Sequence, residues 1–358
     1  MSSTNIVLGT RSLIQNKILS SVPKKWLPQV TFGIQAYSLQ AFQSATGNAR
    51  RVVANANTAA RKGERLLANR KLADSLGSIF DNLKLVKPTS YVNIDHSDMN
   101  GLTALVGAVQ TKLGRAIPCF VETTYSDRLP GHDHTSPRKK MLRAAREQER
   151  RWQSFTGHTI NALQDFAERL GFWPKLVFDR GFGNESIVTH LFAEGATFYI
   201  RVKSGRYVEL DGHGTRVKVQ NLRQEDATIQ LYGLTLRVIR STQDGKNDEP
   251  WYILTNDMSH SRTKIVRIYY HRFEIEESFK DLKHILEFRR TRLNKPNSLK
   301  IILWLMFIGI ALLYKVTKPT KQQMKKAHPK KRISWIRQAL EQLHQAYGLV
   351  LWGNRGGV

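Results

Sequence analysis

Ile268-Tyr-Tyr-His-Arg-Phe-Glu-Ile-Glu-Glu-Ser-Phe-Lys-Asp-Leu-Lys-His284 holds good helix formers, no Pro and no Gly, and its apolar residues Ile268, Ile275, Phe279 and Leu282 recur at helical intervals. The stretch predicts one continuous helix. At about 100° per residue, Glu276 shares a strip of roughly 60° with Tyr269, Arg272 and Lys283, and Lys280 falls on the same side. One carboxylate therefore stands among three cations and a phenol, while Glu274 and Glu277 point about 160° and 100° away. Taken alone, such a strip reads as a solvated face with i,i+4 ion pairs. The rest of the chain decides whether that reading stands.

The 358 residues carry 56 Lys and Arg against 29 Asp and Glu, a net charge of +27. That excess opposes a compact fold unless a polyanion neutralises it, which makes nucleic acid the first partner to consider. The length allows a large core and two or three domains. A single cysteine, Cys119, excludes an internal disulfide framework and any zinc site with several Cys ligands, and points to a reducing compartment. Met1 to Leu13 has no apolar core of signal-peptide length. The apolar run Ile301 to Tyr314 is shorter than the roughly 20 residues that span a bilayer, so it reads as a buried helix and no membrane partner is expected.

From Lys17 to Leu85 the sequence is rich in Ala, Gln, Asn and Arg; Ser38 to Leu72 has helical composition and a basic character, which predicts a helical DNA-contacting region. At Pro88 the texture changes to strand, with Thr89-Ser-Tyr-Val-Asn-Ile-Asp95 expected to end at its acid. The turn signal Asn100-Gly101 and a second apolar run, Leu102 to Val109, follow. A third strand is expected over Ala116 to Glu122. His132, Asp133 and His134 have metal-ligand spacing but no further ligands around them. Ser136 to Leu170 reads as a helix with a dense basic start, stopped by Gly171. In Pro174-Lys-Leu-Val-Phe-Asp-Arg-Gly-Phe-Gly183 a short apolar strand ends at Asp179, and Asn184 is placed to cap the next helix. Asp179 thus stands at the carboxyl end of a strand, where open α/β sheets place their ligands. Alternating segments between Thr197 and Thr255 then predict an inserted antiparallel β unit of about five strands.

Asp95, Asp179 and Glu276, spread along the chain, have the chemistry to meet at one sheet edge. Three carboxylates supply the oxygen ligands that two divalent ions need, and such an ion pair can activate a hydroxyl while stabilising the leaving oxygen of a phosphodiester.

Tyr269-x2-Arg272-x3-Glu276-x6-Lys283 resembles the Y-R-E-K signature of DDE transposases in the fourth bacterial insertion-sequence family, whose catalytic core is ribonuclease-H-like. Val92-Asn-Ile-Asp95 resembles that family's first-aspartate strand, Leu176-Val-Phe-Asp-Arg-Gly-Phe its second, and the β unit its insertion domain. The resemblance covers residues 85 to 315. It implies an α/β protein with a mixed-sheet core at 86–192 and 256–314, an inserted antiparallel β subdomain at 193–255, a helical DNA-binding region at 1–85 and a basic helical C-terminal region at 315–358. It also implies that Asp95, Asp179 and Glu276 are catalytic and hold two Mg²⁺ ions, with Mn²⁺ as a substitute. Arg272, Lys283 and Tyr269 would grip the transposon-end backbone, which suits a cationic face beside an acid. Trp251 resembles a base-stacking Trp, and Arg201, Lys203 and Arg206 resemble basic insertion-domain residues that contact DNA.

The implied activity is cut-and-paste transposition on double-stranded DNA by a homodimer, in the cytoplasm and on nucleoid DNA. One strand is hydrolysed at an inverted-repeat end, the 3′-hydroxyl forms a hairpin with the opposite strand, and the reopened 3′ end is joined to a target. The competing classes are a transposase-derived DNA-binding protein without cleavage and a metal-dependent nuclease without strand transfer.

If the positive charge binds phosphates, affinity for duplex DNA falls steeply with salt. A titration from about 50 to 200 mM salt should cost at least tenfold in affinity, and a slope near zero would contradict the polyanion reading.

Overall fold

Gly101 takes a φ of 83°, a left-handed backbone that a side chain would strain, and across it Met99 pairs with Leu102. This hairpin joins β1 (Tyr91–Met99) to β2 (Leu102–Val109), and β3 (Ile117–Tyr125) adds antiparallel to β2. The computed structural model describes residues 70–99, 101–126, 155–210, 214–241, 250–284, 295–317, 334–336 and 338. The expected N-terminal helical region is described only from Arg70, in helix α1 (Arg70–Asp81). His132 to His134, the basic start of the 136–170 helix and most of the basic C-terminal region lie outside the described residues.

β1 corrects one expectation. It does not end at Asp95 but continues to Met99, so Asp95 is a mid-strand residue paired with Val106. The polar run beyond it stays in the ladder, with contacts at His96 and Asp98. His96 stacks on Phe182 at 5.0 Å, and Asp98 accepts a 2.6 Å hydrogen bond from the Thr103 hydroxyl.

The chain then forms α2 (Phe155–Leu170), which stops at Gly171 with φ 75°, and β4 (Lys175–Phe178), which pairs parallel with β1. Asn184 caps α3 (Glu185–Ala193) by accepting from the Ile187 amide, and β5 (Phe198–Val202) returns parallel to β4. Two parallel pairs beside an antiparallel hairpin give the order β3-β2-β1-β4-β5, a mixed α/β sheet of ribonuclease-H-like form.

The sheet does not stop there. β6 (Tyr207–Glu209), β7 (Arg216–Lys218), β8 (Asp226–Leu231), β9 (Leu234–Ser241) and β10 (Trp251–Thr255) continue it to ten strands, with β10 antiparallel to β5. The stretch expected as an inserted subdomain from 193 thus begins with a strand of the core sheet. β5 is the fifth core strand, with Phe198, Tyr199 and Ile200 fully buried, and the later strands extend its sheet rather than forming a separate unit.

α4 (Arg262–Tyr270) and α5 (Phe273–His284) overturn the single-helix expectation, with the break at His271 and Arg272. No Gly or Pro causes it. An unbroken helix would give the Ile268 carbonyl to the Arg272 amide. Instead the Gln110 side chain donates to that carbonyl at 3.0 Å, the Asn93 side chain donates to the His271 carbonyl at 3.0 Å, and the Arg272 amide tightens onto Tyr269 O at 2.9 Å.

α6 (Pro296–Thr317) is apolar enough to pass for a membrane span by composition, yet 67% of the relevant window is buried in the protein. It packs on β3 and α1 as a core helix. Near it Arg169 meets Asp81 at 2.6 Å, and burial, opposed by Arg169, pushes the Asp81 carboxyl up to about 6. The unfolded group loses its proton near 3.8 and the folded one only near 6, so this site lowers stability as pH rises through that window. Asp81→Asn should flatten the fall in unfolding free energy between about pH 4 and 6, measured by urea denaturation, by at most about 3 kcal/mol. An unchanged pH slope would contradict this placement of the carboxyl.

Candidate active site

β1 and β4 run parallel with Ile94 opposite Phe178, so Asp95, the next residue within β1, and Asp179, the first residue past the end of β4, leave neighbouring strands at the same level. Glu276 comes from the first turn of α5, and Arg272 from the break just before it. The Arg272 guanidinium sits among all three acids, 2.7 Å from Glu276 and 3.9 Å from both Asp95 and Asp179.

Exposure sorts these groups into a floor and a rim. The Arg272 side chain is 5% exposed and the Asp95 side chain 21%, whereas Asp179 and Glu276 are 44% and 41% exposed. The isolated reading of the strip as a solvated face thus fails at its central cation. Arg272 also lies over the Phe273 ring at 4.6 Å and the Tyr269 ring at 5.8 Å, contacts that fix a guanidinium in a dry site. Burial pushes the Asp95 carboxyl up to about 6, Arg272 pulls it back, and Asp179 and Glu276 add repulsion. Its Oδ1 accepts from the His96 amide at 2.8 Å.

One guanidinium against three carboxylates leaves negative charge unbalanced, and the donors are all oxygens. That chemistry fits a hard divalent cation such as Mg²⁺ or Mn²⁺. As placed, however, no three His, Cys, Asp or Glu side chains among the described residues form a group able to hold one ion, because the guanidinium fills the space between these acids.

The remaining sequence candidates divide. Tyr269 is buried, its ring edge-on to Trp251 at 5.5 Å, so it backs Arg272 rather than facing solvent. Trp251 is 6% exposed and wedged between Tyr269 and Phe273, the latter at 5.6 Å. The ring expected to stack on a base thus packs here on two aromatic neighbours. Lys283 falls in α5, with its side chain outside the described residues.

Arg201, Lys203 and Arg206 gather elsewhere, on the wall of a cavity of about 1370 Å³ that Arg180 and Arg216 also line; Glu185 and Glu209 are its acids. Arg180 follows Asp179 directly and thereby ties this basic trough to the carboxylates. The sequence reading passed over Arg180, although its position beside a strand-end acid was a usable signal. Glu274 was also passed over, and it is nearly buried.

Residues 156–312 match the family model of the transposase DDE domain. The matched stretch is similar to the DDE domain of transposases. A search of curated proteins found no match. Transposases of this kind bind DNA and generally use divalent metal ions to cleave and transfer strands, and the matched span contains Asp179, Arg272 and Glu276, with Asp95 preceding it.

Removing the buried guanidinium should leave three carboxylates facing one another. Arg272→Ala is expected to cost about 2–3 kcal/mol in chelated protein, discounted because two of the acids are partly solvated, and adding Asp95→Asn should restore about 1 kcal/mol or more. Urea denaturation of the double-mutant cycle checks this, and strictly additive losses would contradict it.

Proposed function

We propose that this chain cuts DNA at the inverted-repeat ends of an insertion sequence and joins the freed 3′ ends to target DNA, in the manner of the Y-R-E-K transposases. The observation that carries the reading is the convergence of Asp95, Asp179 and Glu276 on one buried guanidinium. Two Mg²⁺ ions, or Mn²⁺ in their place, would be held by these three carboxylates, and would supply activation of the attacking hydroxyl and stabilisation of the leaving oxygen.

The chain's own residues supply the rest. Arg272 would bind a phosphate oxygen beside the reacting bond. Tyr269, its hydroxyl pushed up by burial and so neutral, holds the guanidinium from behind. Arg180, Arg201, Lys203 and Arg206 line a path by which a DNA backbone leaves the acids along the trough, with Lys283 contributing from α5. Each step of cut-and-paste chemistry, including a hairpin intermediate, is an in-line displacement at phosphorus, so one carboxylate set serves them all. A homodimer bridging two ends on nucleoid DNA completes the reading, with residues 1–85 as the end-binding region.

Incubating the protein with an end-containing duplex and Mg²⁺ should yield nicked and hairpin products. Asp179→Ala should bind the same duplex within about threefold and leave product at background. Binding without cleavage by the unaltered protein would instead identify a transposase-derived DNA binder, and free ends that never join a plasmid would identify a nuclease.

A further inference from the structure

Three polar side chains outside the acid cluster converge on the segment that carries Arg272 and Glu276. Asn93 lies two residues before Asp95 on β1, and residues two apart on a strand share a face. It is fully buried, and its Nδ2 donates to the His271 carbonyl at 3.0 Å. Gln110, just past the end of β2, donates from Nε2 to Asn93 Oδ1 at 2.7 Å and to the Ile268 carbonyl at 3.0 Å. Two side-chain amides thus take the carbonyls flanking the break between α4 and α5. A single face of β1 presents Asn93 to the backbone of the break and Asp95 to its guanidinium.

Glu274 holds the other side. Its Oε2 accepts from the Thr111 and Lys112 amides at 2.8 and 3.2 Å, and its Oε1 from the Gly114 amide at 3.3 Å, with His271 Nδ1 at 3.1 Å. Lys112 and Gly114 adopt φ values of 61° and 85°, the left-handed conformations that turn successive amides inward into an anion-binding nest. The Ala116 amide donates to the Glu274 carbonyl at 3.2 Å, and the Ser278 hydroxyl bridges the Ala116 and Glu274 carbonyls. The β2–β3 loop is in this way fastened to the first turn of α5, two residues before Glu276.

We propose that Asn93, Gln110 and Glu274 are positioning residues, which set Arg272 and Glu276 in register with Asp95 and Asp179 by clamping the α4–α5 break to β1 and to the β2–β3 loop. The proposal rests on the DNA-cleaving reading of the acid cluster. None of the three touches the acids; they act through the backbone on which Arg272 and Glu276 are mounted. A buried carboxylate satisfied by three backbone amides is rigid because every alternative leaves the charge unpaired.

The test uses the full chain with Gln110→Met, which keeps the side-chain length at a half-buried site and removes both donated bonds, together with Glu274→Ala and Glu274→Gln. Duplex affinity, nicking rate at saturating DNA and Mn²⁺ affinity by calorimetry without DNA are measured well below each variant's thermal midpoint. Gln110→Met and Glu274→Ala should each lower the nicking rate and the Mn²⁺ affinity about tenfold, with half-saturating DNA unchanged within about twofold. Glu274→Gln, which keeps an acceptor in the nest, should recover most of that loss. Lower thermal midpoints with unaltered nicking rate and Mn²⁺ affinity would overturn the proposal and leave these residues as ordinary fold contacts. Unaltered protein that binds Mn²⁺ without nicking would defeat the DNA-cleaving reading, while the Mn²⁺ comparison would still decide the positioning one. Unaltered protein that binds no Mn²⁺ would overturn both.

Discussion

A guanidinium buried beneath three carboxylates is the contact on which the architecture turns. Arg272 contributes the charge that lets Asp95, Asp179 and Glu276 approach one another, and it does so from a dry floor of Phe273 and Tyr269. Its strength depends on placement. A cation this deeply buried is stabilising only while its partners stay within a few ångströms, and each acid is mounted on a different element. The parallel pairing of β1 with β4 fixes two of them, and the break between α4 and α5 fixes the third together with the guanidinium.

This explains why so much polar structure surrounds an apolar sheet. A continuous ten-stranded sheet backed by α1, α2 and α6 supplies the rigidity, but its core contacts carry no information about where a helix break must fall. Asn93, Gln110 and Glu274 supply that information through directional hydrogen bonds. The same sheet runs on past β5 into β10 and its neighbours, so the basic trough lined by Arg180, Arg201 and Lys203 is built on the framework that holds the acids.

Local pattern made some of this legible. Leu176 to Phe178 is a short apolar run closed by Asp179 and two glycines, and that punctuation marks a strand end wherever it occurs. The short alternating segments from Arg216 onward likewise read as strands. Asp95 was misplaced at a strand end because polarity after it imitates a loop, when the ring of Phe182 and the hydroxyl of Thr103 were waiting for His96 and Asp98. The single-helix reading of 268–284 failed for a similar reason. Propensity favours an unbroken helix, and side chains 158 and 178 residues away, Gln110 and Asn93, compete for its carbonyls. Glu274 does point away from the strip, as helical geometry requires, but its destination in a loop of left-handed amides has no sequence signature. Trp251 looked available to a base because strand position says nothing about which aromatic rings close over it.

We propose that these acids share divalent ions next to DNA, with Arg272 as the cation among them in the free protein. Electron paramagnetic resonance of Mn²⁺ in the complex with an end-containing duplex tests it most directly, by counting bound ions per chain. Two ions in the unaltered protein, falling to one or none in Glu276→Gln, is the result the account predicts. A count of zero in the unaltered protein, or an undiminished count in the variant, would contradict it.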